Sequence, residues 1–432
     1  MKISAARQAA FGILMRVETD NAYSTVLLDS AAHMLAPNDR GLCHELTLGT
    51  LRRQIWLDHV IGTLTKGRKL DVEVRVALRL GLYQLRFLDK IPAYSAINES
   101  VQLVQFAGKT SAKPLVNAVL RRAQRGVEIA EPADLVAALE LATSHPRWLL
   151  EKWIGDHGFD SAAAIAHANN ELPPIAFRTT AASTDAAGAA IRAATRSRFA
   201  DGCFLASTFD DGLSELAAKH EIYFQDEGSQ IVGNCVPISG AKRVLDACAA
   251  PGSKTTLIAK RLIESGNAAA LVAGDRYASR MRALRSNCDG QGLGDVRLVQ
   301  YDAEVPLPFA DDAFDSVLVD APCTGTGTIR RNPEIRYRVR PDDLIELPRK
   351  QLAMLTNASK IVARGGNLIY STCSIEPEEN EAVRAGFLEN SAEFEPVPPA
   401  IDDRLLTAAG FGRTFPHRDG MDGFFIAAFR RR

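Results

Sequence analysis

The sequence predicts a multidomain α and α/β protein: an all-helical bundle over residues 1–140, a small α/β module over 145–225, and a doubly wound parallel sheet over 226–432. Three observations carry that reading. Apolar residues recur at helical spacing from Ser4 to about Leu141. Punctuation of the kind found at domain boundaries falls at Glu131-Pro132 and again at Ser144-His145-Pro146. From Gln225 onward, short apolar runs alternate with amphipathic stretches, as strands joined by helices do.

At 432 residues, 46% apolar and 24% charged, the chain has the composition of ordinary globular protein. No apolar run reaches the roughly 18–20 residues of a membrane span, and Arg7 and Arg16 sit in an amphipathic pattern rather than in a cleavable leader. A cytoplasmic protein without a membrane partner is expected. Seven cysteines without a C-x-x-C pair argue against a disulfide framework and against structural zinc, so no metal is expected. The net charge of −1 hides an asymmetry: residues 1–130 hold 18 Lys and Arg against 11 Asp and Glu, and the remainder holds 33 against 41. A basic front end suits a polyanionic partner.

In the bundle, Ala5, Ala9, Ile13 and Val17 mark one helix face, Leu42, Leu46, Gly49 and Leu57 others, and Val76, Leu80 and Leu85 a third. Asn38-Asp39 and Lys69-Leu70-Asp71 offer N-cap chemistry, and Ile91-Pro92 and Lys113-Pro114 interrupt the run, which gives six or seven helices. Arg52, Arg53, Arg121 and Arg122 are candidates for phosphate contacts, because a guanidinium meets a phosphate in a bidentate fork. The small module reads as a strand at Ile175–Arg178, an Ala-rich helix near 185–195, and strands at Gly202–Leu205 and Glu221–Phe224. Further strands are predicted near 243–247, 270–275, 296–300, 315–320 and 366–372, with a last one within 423–429 near an edge.

The first strand of the large sheet ends in Asp246-Ala247-Cys248-Ala249-Ala250-Pro251-Gly252-Ser253-Lys254-Thr255. A P-loop needs glycine where Ser253 and Cys248 stand, and a dinucleotide fingerprint needs three glycines where only Gly252 is present. A small-residue turn with one glycine suits a cofactor without phosphates that still requires close backbone approach, S-adenosylmethionine. Cys248, Ala249, Ala250, Pro251, Gly252, Ser253 and Lys254 are its expected cradle. Asp275, at the end of the second strand, is placed to accept ribose hydroxyls, Asp302 to hold the adenine amine, and Arg280 and Asp320 to complete the site.

Two further strand ends carry thiols: Asp320-Ala321-Pro322-Cys323-Thr324-Gly325 and Ser371-Thr372-Cys373-Ser374. Cytosine C5 attacks a sulfonium methyl group only after a thiolate has added to C6 and pushed electron density onto C5. An acid on the base edge assists that addition, and a base must later remove the C5 proton. Two cysteines and Asp320 supply these parts, and on spacing alone either thiol can be the nucleophile. Just beyond, Arg330, Arg331, Arg336 and Tyr337 place an aromatic among arginines, a pattern that suits stacking on a splayed RNA base.

These three motifs, with Glu379-Asn380, resemble those of the RNA cytosine-5 methyltransferases. Segments such as Leu48-Gly49-Thr50-Leu51-Arg52-Arg53, Ile97-Asn98-Glu99-Ser100-Val101 and Val116-Asn117-Ala118-Val119-Leu120-Arg121-Arg122 are similar to the NusB-like RNA-binding domain. The whole chain thus resembles the Sun/Fmu-type (RsmB) family, which methylates small-subunit (16S) ribosomal RNA. The resemblance implies a Rossmann-like class I S-adenosylmethionine-dependent methyltransferase sheet, Cys373 as the nucleophile, Cys323 as the thiol that resolves the adduct, and Lys254 beside Asp320. A thiol of ordinary pKa, ~8.5, is barely ionised at neutral pH, so Lys254 or a helix N-terminus is expected to lower it. Phe415-Pro416-His417 and Met421-Asp422-Gly423-Phe424-Phe425 resemble the family's last motif, by which they line the target pocket. Ser253 departs from the family's second glycine, and Asn287–Gly292 lacks an arginine that members carry. The same chemistry on tRNA or 23S rRNA, and a non-catalytic RNA-binding assembly factor, are the competing readings.

Overall fold

Proline marks helix starts rather than breaks in the first part of the chain. In the computed structural model, which describes residues 3–130 and 132–432, Pro37 and Pro114 occupy first-turn positions and Pro92 is the N-cap of Ala93–Phe106. A first-turn amide has no intrahelical partner, so its loss there costs nothing. Seven α-helices follow between Ala5 and Gln124, around a core that includes Leu46, Leu57, Leu78, Leu80 and Leu120. Glu131, half of one boundary signal, lies outside the described residues.

The chain divides into two compact units. The first runs to Leu172 and also takes in Ile329–Arg338; the second comprises Pro173–Thr328 and Val339–Arg432. Helices Leu135–Thr143, Arg147–His157 and Phe159–Ala168 therefore group with the helical unit, and the small module's sheet begins only at Ile175. That sheet has four strands, β1 (Ile175–Thr179), β2 (Thr195–Arg196), β3 (Cys203–Ala206) and β4 (Ile222–Phe224), in the order β2-β3-β1-β4.

The large sheet has eight strands: β5 (Arg243–Asp246), β6 (Ala270–Asp275), β7 (Arg297–Gln300), β8 (Phe314–Asp320), β9 (Val362–Thr372), β10 (Phe394–Val397), β11 (Gly412–Arg413) and β12 (Phe425–Arg431). Its order is β10-β12-β9-β8-β5-β6-β7, with β11 on β12. β5 to β9 pair in parallel, and β12 runs antiparallel to β9, one strand in from the edge. Alternate residues point to opposite faces: Val244 and Leu318 enter one core cluster, while Leu245, Val317 and Val319 enter the other. Burial on both faces explains why these strands read as continuous apolar runs. From β5 the chain builds outward through β6 and β7, then returns to the other side of β5 at β8. Ligands of such sheets bind at that switch point, beyond the carboxyl ends of the strands.

Candidate active site

The register of β8 on β9 sets Asp320 opposite Ser371. Both strands then leave the sheet as neighbouring loops, and Cys323 and Cys373 emerge with their Sγ atoms 3.3 Å apart. Both thiols are partly exposed, whereas Cys43, Cys203, Cys235 and Cys288 are buried. Cys248 is partly exposed too, but burial of its sulfur and then the charge of Asp246 push its thiol far above the ordinary range, as befits an apolar neighbour of the site.

Asp320 is fixed from two sides. Lys254 Nζ donates to its Oδ2 at 2.6 Å and Ser371 Oγ to its Oδ1 at 2.7 Å. Burial opposes the ammonium charge of Lys254, but Asp320, joined by the Cys373 thiol, outweighs it and raises the lysine above its ordinary value. The Lys254 ammonium also lies 5.5 Å from the centroid of the Phe424 ring. Phe424 is held there by a close crossing of two loops: Gly423 N donates to Gly327 O at 2.8 Å. A Cβ on Gly327 would stand 2.0 Å from the Gly423 carbonyl oxygen, so no larger residue fits.

The expectation that a neighbouring cation lowers the thiol does not hold for Cys323. Its hydrogen bond with Cys373, then burial, then the charges of Cys373, Glu379 and Asp320 raise it well above the ordinary value. Lys254 instead interacts with Cys373. Acids thus lie around Cys323, and a cation interacts with Cys373.

The β5 turn carries the cofactor cradle. Gly252 has φ of 108°, where side chains are strained, and a Cβ there would meet Leu284 at 2.7 Å. Asp275 accepts from Ala250 N at 3.2 Å and Tyr277 N at 3.3 Å. Each of its oxygens keeps a lone pair for a ribose hydroxyl, so the donor set fits S-adenosylmethionine. Arg280 donates to Ala250 O at 2.6 Å and Asn287 to Pro251 O at 2.8 Å, which ties the turn to the helix after β6, Ala278–Gly290. Asp302 lies at the rim, ion-paired with Arg276 at 3.3 Å. Behind the turn, buried Arg178 of β1 donates to Thr256 Oγ1 at 2.7 Å and Ser253 O at 3.2 Å. Arg178 and Gln351 were not singled out by sequence reasoning, and Ser371, Glu379 and Asn380 entered it only as parts of motifs without a role, because a buried polar contact leaves no pattern until its partner is known.

The RNA-gripping loop is a correction. Ile329–Arg338 is part of the helical unit. Arg336 is fully buried and donates to Thr143 O at 3.0 Å, Asn170 Oδ1 at 2.9 Å and Asn169 O at 3.2 Å, and burial pushes it down to about 10. The Tyr337 hydroxyl is 2.8 Å from Leu51 O and 3.0 Å from Ser144 O. Arg330 is buried and Arg331 half-buried. Arg52 is buried as well and donates to Arg330 O at 3.0 Å, so its guanidinium serves a main-chain carbonyl rather than a phosphate. Arg53 is half-buried over the Phe87 ring, and Arg121 and Arg122 are exposed.

A doubly wound sheet with a one-glycine cofactor turn at its switch point, beside a charged pair and two thiols, defines a Rossmann-like S-adenosylmethionine-dependent methyltransferase. Residues 237–430 match the profile of the 16S rRNA methyltransferase RsmB/F family, residues 4–125 that of the NusB family, and residues 145–192 that of the RsmF/B-like ferredoxin-like domain. The chain is 33% identical over 449 residues to a probable ribosomal RNA small subunit methyltransferase B of Bacillus subtilis, covering 100% of both. It is 35% identical over 443 residues to the ribosomal RNA small subunit methyltransferase B of Pseudomonas putida, covering 98% of this chain and 97% of that one. The crystal structure of PH0851 superposes with a TM-score of 0.85 at 25% identity over 100% of both chains. NSun6 from Pyrococcus horikoshii with SFG shares the fold over 66% of this chain and 98% of that one, with a TM-score of 0.57 at 21% identity. The chain belongs to the RsmB/F family of rRNA small subunit methyltransferases. No helix among the described residues is long and apolar enough to cross a membrane.

Proposed function

We propose that the protein methylates C5 of one cytosine in small-subunit (16S) ribosomal RNA through a covalent bond between Cys373 and C6. The observation that carries this reading is the pair of partly exposed thiols, 3.3 Å apart, beside a carboxylate held by a lysine. The names of the full-length relatives support the substrate. The surroundings of the sulfurs support the division of labour: its bond to Cys373, burial and nearby acids hold Cys323 well above its ordinary value, and Lys254 interacts with Cys373.

The Cys373 thiolate adds to C6, and the C5–C6 π electrons move onto C5 as a proton shared between Asp320, beside Lys254, and N3 offsets the charge gained by the base. The turn 247–254, with Asp275 and Asp302, would hold S-adenosylmethionine, whose sulfonium would supply the methyl group: a C5–methyl bond would form as the sulfur–methyl bond breaks and the neutral thioether leaves. Cys323, partly exposed, passes its own proton to solvent and as the thiolate takes the C5 proton. Those C–H electrons re-form the double bond, and the C6–S bond breaks to return the Cys373 thiolate. A base inside a duplex is unreachable, so the target lies in a loop or is flipped out. Exposed Arg121 and Arg122, with half-buried Arg53 of the same unit, are the phosphate contacts we assign.

Mapping of C5-methylcytosine in a deletion strain tests the assignment. Loss of one small-subunit position is expected, and an unchanged small-subunit map overturns it. In the purified enzyme, Cys373→Ala retains RNA binding and loses turnover, whereas Cys323→Ala accumulates a denaturant-resistant protein–RNA complex. Turnover by Cys373→Ala reassigns the nucleophile.

A further inference from the structure

Directly beneath the thiol loops lie two consecutive buried polar residues, Glu379 and Asn380, that the chemistry above does not use. Glu379 Oε1 accepts from Thr324 N at 2.9 Å and from Gln351 Nε2 at 2.9 Å, and Oε2 accepts from Thr324 Oγ1. Gln351 Nε2 also reaches Pro322 O at 3.0 Å. The residues on either side of Cys323 are therefore tied to one carboxylate and the amide it orients. Asn380 treats the other loop in the same way: its Oδ1 accepts from Thr372 Oγ1, and its Nδ2 donates to Ser374 O at 2.9 Å. Those are the two neighbours of Cys373. Tyr370 Oη pins the carbonyl of Glu379 at 2.6 Å, and Thr324 Oγ1 meets Ser374 Oγ at 3.1 Å, which joins the loops.

We infer that Glu379 and Asn380 are paired positioning residues, Glu379 holding the resolving thiol Cys323 and Asn380 holding the attacking thiol Cys373. This rests on the thiol roles proposed above. Neither side chain has a free face toward substrate, since every contact just named is to the chain itself. Two thiols that act in sequence on adjacent carbons tolerate little displacement, because a reacting atom must stand within about 3–3.5 Å of its target. Anchoring both neighbours of each cysteine leaves its own side chain as the moving part. Glu379 adds a charge to this geometry: all its contacts are donors, which suits the ionised form, and that charge favours the protonated form of Cys323. Its own carboxyl is raised by burial, with the hydrogen bonds opposing.

Single-turnover kinetics with unmodified small-subunit rRNA and S-adenosylmethionine separate the two roles, with the denaturant-resistant complex followed as it forms and decays. Asn380→Ala is expected to slow formation about tenfold and leave decay unchanged. Glu379→Gln is expected to slow decay, and to move the pH dependence of decay acidward by about one unit, because a charge beside Cys323 is gone. Gln351→Met leaves both acids and both thiols in place and is expected to slow decay alone; it serves if either buried substitution fails to fold. Equal slowing of both phases by all three variants, without a pH shift, overturns the inference and makes the pair purely structural. If wild-type protein forms a complex that Cys373→Ala does not, and Glu379→Gln and Gln351→Met leave decay untouched, this inference alone fails. If wild-type protein forms no complex, the proposed function fails with it.

Discussion

Asp320 and Glu379 are two acids on the same pair of loops, held in opposite ways. Asp320 keeps 24% of its side chain exposed, faces a lysine at 2.6 Å and takes a second bond from Ser371. Glu379 has no exposed surface, and neutral donors, two from Thr324 and one from Gln351, hold its oxygens. A carboxylate with a counter-charge and an open edge is one that a ligand can reach. One ringed by neutral donors in the interior is committed to holding the chain, and burial raises its pKa. The same functional group is thus a reagent in one setting and a bracket in the other, decided by exposure and by what satisfies it.

The largest expected effect breaks the reagent side. Asp320→Asn keeps the shape but loses the charge and the acid–base capacity, and kcat is expected to fall by about 10²–10⁴ with RNA affinity within twofold. Lys254→Met is expected to cost as much, because the remaining acid loses its close cation. The double variant should be no worse than the poorer single one, since each removes the same unit. Breaking a fully buried pair costs about 3–5 kcal/mol; with Asp320 a quarter exposed the stability loss should be smaller, and a thermal midpoint measures it. If Asp320→Asn turns over within tenfold of wild type, Asp320 belongs with Glu379 among the brackets.

The reagents were legible in the sequence and the brackets were not, for a physical reason. Asp320, Cys323 and Cys373 close apolar runs at strand ends, and parallel pairing brings strand ends together whatever else the chain does. The cofactor turn is contiguous, so its small residues and lone Gly252 speak for themselves. Gln351, by contrast, is a polar residue on the helix Asp343–Lys360, and only the tertiary fold reveals that it is buried against Glu379 and Pro322. Charge misled in the same way. Arg336 and Tyr337 looked like a grip for RNA because sequence counts donors without their acceptors, which here are the carbonyls of Thr143 and Asn169 for Arg336 and of Leu51 and Ser144 for the Tyr337 hydroxyl. Part of the basic surplus of residues 1–130 is internal as well: Arg7 and Arg79 are buried, paired with Glu99 and with Asp58 and Glu18. Arg121 and Arg122 keep the surface that the surplus was read to imply.

A third acid, Asp246, sharpens the comparison by having neither device in full. It ends β5 one strand from Asp320, is fully buried, accepts from Thr255 Oγ1 at 2.7 Å, and has no partner for Oδ1. Burial, assisted by the charge of Asp320 and opposed by Thr255, pushes it up from 3.8 to about 7. A group raised on folding favours the native state below its unfolded value, and that contribution is lost as pH rises through the folded one. Between 3.8 and about 7 the native protein carries a proton that the unfolded chain lacks, so stability falls by up to about 1.4 kcal/mol per pH unit. Asp246→Asn removes this titration. Its amide is neutral at every pH, so any packing cost is a constant offset. The thermal midpoint of the variant relative to wild type is therefore expected to climb from about pH 5 to about pH 7 and to level off above that. Parallel curves across that window would mean that Asp246 is already ionised when folded, and that the Lys254 charge reaches past Asp320 to compensate a second acid.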